Sequence, residues 1–159
     1  MKGTPVIGPQ AKPAPSRVDL EPCARRIEKP WGWEVIWAEG HGYTGKLLHA
    51  RAGQRLSLQY HDEKVETQCL ISGRALLLLE DEDGGLREIL MEAGSGYTIH
   101  PYQLHRLTAI EDTEVFEVST PETGTTVRVA DDFQREDETA EVRTRTDRGR
   151  VSPAVASDA

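Results

Sequence analysis

Between about residue 25 and residue 135 the chain is cut into short alternating or apolar runs, and a turn signal follows nearly every one. The candidate strands are Trp33–Trp37, Lys46–Arg51, Arg55–Gln59, Glu66–Ile71, Arg74–Glu80, Arg87–Met91, Tyr97–His100, Leu104–Ala109, Glu114–Ser119 and Thr126–Val129. Gly40 and Gly42, Ala52-Gly53, Ser72-Gly73, Asp83-Gly84-Gly85, Gly94 and Gly96, and Glu111-Asp112 separate them. No long helical periodicity lies between these runs, so the fold class is all-β, a sandwich or a barrel. The run Ala75–Leu79 has helical propensity, but Gly73 and the acidic turn at 81–85 bracket it tightly. That bracketing favours a buried strand.

The flanks differ in kind. Pro5, Pro9, Pro13, Pro15 and Pro22 interrupt any regular ladder, which predicts a flexible leader over 1–24. Residues 136–159 are charged and then small, without strand alternation, which predicts a disordered or loosely attached tail. A single domain over 25–135 is therefore expected in a chain of 159 residues, with apolar content of 37% sufficient for a modest core. The net charge of -8 argues against nucleic acid as a partner, because phosphate binding needs a basic face. It leaves room for a small anionic ligand, which needs only a local cluster of cations. Cys23 and Cys69 form no metal-type pair and suit a reduced compartment. No run has the length of a signal core or a membrane span, so the expectation is a cytoplasmic protein with no membrane partner.

The chemistry concentrates in Gly53–Gly73. Gln59 and His61 are two apart, so on a strand they share a face. Glu66 follows after a short turn through Asp62, Glu63 and Lys64, and a second strand and turn over 94–105 end at His105. Two imidazoles, a carboxylate and an amide oxygen suit one divalent metal ion, Zn, Mn, Fe, Co or Ni, without choosing among them. Arg55 and Ser57 share the face of Gln59 and His61 by the same alternation, which predicts pocket positions for both. Glu117, on the face of Val115 and Ser119, His49 and Lys64 are the candidate catalytic bases. Leu56, Leu58 and Tyr60 fall on the opposite face and need cover, either from a second copy in a homodimer or from the N-terminal arm. Trp31 and Trp33 belong to that arm.

The stretch Gly53, Gln59, His61, Glu66, Gly73 resembles the first cupin motif at every spacing, with Gln59 where most cupins have His. The stretch Gly94 to His105 is similar to the second, with His100 in place of Pro and Tyr102 in place of Gly. Lys29-Pro30-Trp31-Gly32, Lys46, Arg55-Leu56-Ser57-Leu58-Gln59, His105-Arg106 and Asp131-Asp132 with Arg135 together resemble the cupin domain of type II mannose-6-phosphate isomerases. The resemblance implies a single jelly-roll β-barrel and metal held by Gln59, His61, Glu66 and His105. It adds Lys46, Lys64 and Arg106 as contacts to an anionic substrate, for which an arginine fork is well suited. The sequence departs from the family at Lys64, where Arg is usual, at Thr67-Gln68, where His-Trp is usual, and at Ser119, where Gln is usual. The function so implied is a metal-dependent aldose–ketose isomerase or epimerase acting on a sugar or sugar phosphate by proton transfer. Two alternatives stand beside it. One is a non-catalytic sugar- or metabolite-binding cupin. The other is a non-haem iron dioxygenase, since His61, Glu66 and His105 alone make a two-histidine, one-carboxylate set.

Overall fold

The computed structural model describes residues 16–17 and 21–150. Eleven strands and one helical turn follow in order: β1 Arg25–Lys29, β2 Gly32–Gly40, β3 Tyr43–Ala50, β4 Leu58–His61, β5 Glu66–Ser72, β6 Ala75–Glu80, β7 Leu86–Leu90, β8 Gly96–Ile99, β9 His105–Ala109, β10 Thr113–Ser119, β11 Thr126–Ala130 and α1 Ala140–Thr144. They form two antiparallel sheets, ordered β1-β2-β3-β10-β5-β8 and β11-β4-β9-β6-β7. Non-consecutive neighbours such as β3, β10 and β5 are the crossovers of a jelly roll. The predicted all-β jelly-roll fold is therefore the observed one. β1, a strand of charged residues around Ile27, was not foreseen because its alternation is almost entirely polar.

The inward-facing row of each central strand changes character along its length. β3 buries Lys46, then Leu48 and Ala50; β5 buries Glu66 and Gln68, then Leu70; β9 buries His105, then Leu107 and Ala109. β10 runs antiparallel to β3 and β5 and buries Thr113 and Val115 first, then Glu117 and Ser119. One end of the barrel is thus filled with aliphatic side chains, each worth roughly 1.5–3 kcal/mol of burial. The other end collects buried polar groups, and the register brings them to one level. Glu66 stands opposite Ser119 and Gln59 opposite His105.

Two sequence expectations change here. Leu56 does not lie on an outer face; it packs against the core cluster and lines the cavity. The reason is that regular pairing in β4 begins only at Leu58, so the alternation read back from Gln59 breaks before it reaches Leu56. The sequence predicts a disordered or loosely attached tail from 136. As far as residue 150 it is laid against the barrel, with Glu138 and Arg148 buried. Residues 151–159, and the leader apart from 16–17 and 21–24, lie outside the described residues.

Candidate metal centre

β4, β5 and β9 each bring a side chain to one point. Ligand atoms of His61, Glu66 and His105 lie within 4.8 Å of one another, and all three residues are buried. Glu66 reaches both rings, with Oε2 at 3.2 Å from His61 Nε2 and Oε1 at 3.4 Å from His105 Nε2. The outer nitrogens fix the rings. His105 Nδ1 lies 3.0 Å from the Gln103 carbonyl, which can only accept, so Nδ1 carries the proton and Nε2 presents a lone pair. His61 Nδ1 lies 3.0 Å from Thr126 Oγ1, and its buried Nε2 has no hydrogen-bond partner. An orphaned imidazole nitrogen facing a carboxylate and a second lone pair is the donor set a divalent ion takes.

Charge supports the same reading. Burial and then the Lys64 charge hold the His61 ring down at about 4, so it is neutral at pH 7, the form that ligates. Glu66 is lowered well below the carboxylate range. Burial alone would raise it, but the charge of Lys64 overrides that. Gln68 Nε2 donates to Glu66 Oε1 at 2.9 Å and steadies it.

Gln59 closes the fourth side. Its Nε2 lies 3.3 Å from His105 Nε2, while Oε1 accepts from Ser57 Oγ at 2.6 Å. Because the Ser57 hydroxyl can accept as well as donate, a turn of the amide presents Oε1 to the same point. The residues present therefore fit a divalent ion held by His61, Glu66 and His105, with Gln59 as the weakest donor.

Lys64 stands beside this group on the β4–β5 turn, paired with Glu66 and, at 3.1 Å, with Glu117 Oε1. Glu117 lies in the cavity wall. Its carboxyl is raised above the usual range by burial and by the Glu66 charge, against the pull of Lys64 and Lys46. Lys46 lines the same cavity, paired with Glu122 and 3.9 Å from Glu117. The structure thus brings together eight of the predicted residues: Gln59, His61, Glu66, His105, Ser57, Lys46, Lys64 and Glu117.

Three predicted residues lie elsewhere. Arg55 is exposed and forms a two-pronged pair with Asp132 at 2.6 and 2.8 Å. It is turned outward by the same break in alternation that turns Leu56 inward. His49 alternates with the buried Leu48 and Ala50, so it sits on the outer face, stacked on Trp33 at 4.9 Å. It cannot serve as a base in the cavity. Arg106 alternates with His105 and Leu107 and reaches outward to the Ala130 carbonyl at 2.9 Å.

Sequence reasoning missed a ring of charges above the centre. Lys29, Glu34, Glu122, Glu138 and Arg148 join Lys46 there. Lys29 belongs to the Lys-Pro-Trp-Gly segment, the one available hint. Glu34 follows it on β2, Glu122 comes from the β10–β11 connection, and Glu138 and Arg148 come from beyond β11. The cavity under this ring has a volume of about 60 Å³, well below the ~300–1,000 Å³ of a usual ligand pocket.

The family described as mannose-6-phosphate isomerase C-terminal matches residues 18–137. No curated protein matches the chain. Among solved structures, the chain is similar to the oxalate decarboxylase of Lactobacillus farciminis in its formate complex, at 19% identity and a TM-score of 0.59 over 67% of this chain and 34% of that one. It is also similar to the capsular polysaccharide assembling protein CapF of Staphylococcus aureus, at 12% identity and a TM-score of 0.53, over 73% of this chain and 32% of that one. The oxalate decarboxylase of Bacillus subtilis, studied for its Mn(II) centres, matches at 18% identity and a TM-score of 0.54, over 61% and 27%. The chain spans only about a third of each of these proteins. At such identities the likeness is one of fold.

Proposed function

The chain belongs to the mannose-6-phosphate isomerase C-terminal family of cupins, and from that membership we propose a metal-dependent enzyme that transfers the proton on the carbon beside the carbonyl of a sugar or sugar phosphate, as an aldose–ketose isomerase or epimerase. One observation carries the reading. Glu117, a carboxyl that is not a candidate ligand, shares the cavity with the His61–Glu66–His105 group and has a proton affinity raised towards neutrality by burial and by Glu66. That is the property a general acid/base requires.

A divalent ion held by His61, Glu66, His105 and Gln59 would supply Lewis-acid polarisation of the substrate's carbonyl and neighbouring hydroxyl. The remaining work falls to the chain's own groups. In the isomerisation Glu117 takes the proton from the carbon beside the carbonyl and gives it to the former carbonyl carbon, while the proton of the neighbouring hydroxyl passes to the carbonyl oxygen. Lys64, 3.1 Å from Glu117 Oε1, offsets the carboxylate charge while Glu117 is ionised and holds its orientation. Trp31 and Leu48 close the cavity wall against water.

The test is solvent exchange. Aldoses and aldose phosphates are incubated in deuterated water with the Mn- or Zn-loaded protein. Deuterium should enter the carbon beside the carbonyl in at least one of them, and Glu117→Gln should slow this by about 100-fold or more with metal content unchanged. Deuterium in none of the sugars would remove the proton-transfer reading.

The closed mouth of the cavity favours a second reading, a cupin that binds a sugar or metabolite without turning it over. Heat of binding from one of the same sugars, with no exchange and no product, would establish that reading in place of the first.

A further inference from the structure

The family match ends at residue 137, yet the cavity does not. Beyond that point Glu138 pairs its backbone with Thr126, at 3.0 and 2.9 Å, and α1 follows, capped by the Thr139 side chain. The chain then returns Arg148 to the carboxylates of the cavity wall. Arg148 Nη2 bonds both oxygens of Glu122, at 2.9 and 3.0 Å, and Glu138 Oε1 at 2.8 Å. Its side chain is 5% exposed and its Nε has no acceptor. Glu122 in turn pairs with Lys46, whose ammonium reaches down towards Glu117.

The ring's six members are the cations Lys29, Lys46 and Arg148 and the anions Glu34, Glu122 and Glu138, and Arg128 adds a further cation at 3.4 Å from Glu138. Its members are not equally fixed. Glu34 and Lys46 are on strands, and Glu138 is tied to β11 by two backbone bonds. Glu122 is on the β10–β11 connection and, at 13%, has the most exposed side chain of the six. Glu122 is thus the member that can leave. Its departure would leave Lys46 with Glu117 at 3.9 Å and Arg148 with Glu138 at 2.8 Å, one carboxylate short in a buried place where the Arg148 Nε already has no acceptor. Such a vacancy calls for an oxyanion, because a buried, unpaired cation is costly and a guanidinium fits carboxylate and phosphate oxygens in pairs. Departure is also what entry requires, since about 60 Å³ does not admit a sugar.

We infer that Glu122 is a built-in stand-in for the acidic group of the ligand, and that Arg148, from outside the family domain, is a ligand-binding residue. A phosphate or carboxylate group takes the place of the Glu122 carboxylate between Lys46 and Arg148. This deepens the reading of the cavity as a small-molecule site and rests on it, but it concerns binding and not turnover.

Titration calorimetry on the full chain tests it, with inorganic phosphate in one arm and acetate in the other. Glu122→Ala should bind at least one of these anions about tenfold or more tightly than the parent chain. Glu122→Ala with Arg148→Ala should return to the parent's affinity or below. Glu122→Gln, which keeps the side-chain shape, should move in the same direction and stands in if the alanine variant does not fold. The stronger arm identifies the ligand group as phosphoryl or carboxyl. No gain in either arm for either single variant, or an undiminished gain in the double variant, would overturn the inference. Tight anion binding with no deuterium exchange in any sugar would leave this inference standing and remove the isomerase. Exchange in the parent chain without any effect at Glu122 would do the reverse.

Discussion

Thr126 decides which nitrogen of His61 faces the centre. A hydroxyl at 3.0 Å from Nδ1 can accept that nitrogen's proton, leaving Nε2 as the lone pair turned to Glu66. Thr126→Val keeps the volume and removes the acceptor, so it should weaken Mn or Zn binding by roughly 10–100-fold with the fold intact. His61→Ala should abolish stoichiometric binding, and Gln59→Ala should retain it at lower affinity. Metal analysis after gel filtration reads all three, and an unchanged metal content in His61→Ala would remove the metal centre altogether. At this scale the sequence was informative where spacing alone sets geometry. Gln59, His61 and Glu66 converge because a period of two and a short turn leave them little choice, and His105 joins them where β9 pairs with β4. It was uninformative where a side chain's direction depends on where pairing begins. Arg55 and Leu56 exchange faces because β4 starts three residues later than the alternation suggests. Thr126, like Arg148, could not be found from a local pattern, since each acts on a partner more than 20 residues away. Tyr102 is a different case. It stands where the cupin motif usually has Gly and still adopts the positive φ of 65° that such a position requires, with its N–H donating to the His61 carbonyl at 2.7 Å. The turn geometry is kept at a cost of about 1 kcal/mol or somewhat more because it fastens the ligand strand.

Strands carry the division of the barrel into an apolar end and a polar end, and the turns keep those rows in register. Nearly all of the strands were legible because each is short, bounded and alternating. The polarity change within a strand was also written in the sequence, as Lys46-x-Leu48-x-Ala50 or His105-x-Leu107-x-Ala109, but its meaning emerges only when antiparallel pairing aligns the polar ends. Two motif glycines show how unequal the turns are. Gly73 has φ +83°, and a Cβ there would fall 2.1 Å from the Asp112 carbonyl oxygen and 2.8 Å from Thr113 Cα. Gly53 has φ +74° with open space around it. Gly53→Ala therefore meets only the left-handed conformation, about 1 kcal/mol, whereas Gly73→Ala must also push back the backbone that leads into β10. Urea unfolding should show a loss of about 1 kcal/mol for Gly53→Ala and at least twice that for Gly73→Ala. Equal losses would mean that the β5–β6 turn yields without disturbing β10.

Across the whole molecule, the unusual element is the amount of charge placed inside. A ring of cations and carboxylates under cover is poor value as stabilisation, since apolar residues of the same volume often serve as well or better. Its presence at the open end of the barrel is accounted for by ligand exchange and leaves a signature in acid. Glu34, Glu122 and Glu138 are all held below the ordinary carboxylate range. In each case burial works upward, and the cations Lys29, Lys46 or Arg148 outweigh it, leaving Glu122 at about 2. Unfolded glutamates titrate near 4.3. Between that value and the folded one, the unfolded chain binds protons that the folded chain does not, so stability rises with pH in that window. The contribution is complete above the unfolded value and is lost as pH falls through the folded one. Each such group adds up to about 1.4 kcal/mol per pH unit to the slope. Glu117, shifted the other way, gives an opposing contribution that fades as pH rises through its folded value. Urea unfolding of the metal-free chain at pH 4, 3 and 2.5 should therefore show a steep decline. Glu122→Gln should be less stable than the parent at pH 4, and its slope should be shallower by up to one proton's worth. A slope unchanged by Glu122→Gln would mean that Lys46 and Arg148 do not hold the Glu122 carboxylate in solution, and that the mouth of the barrel stands open.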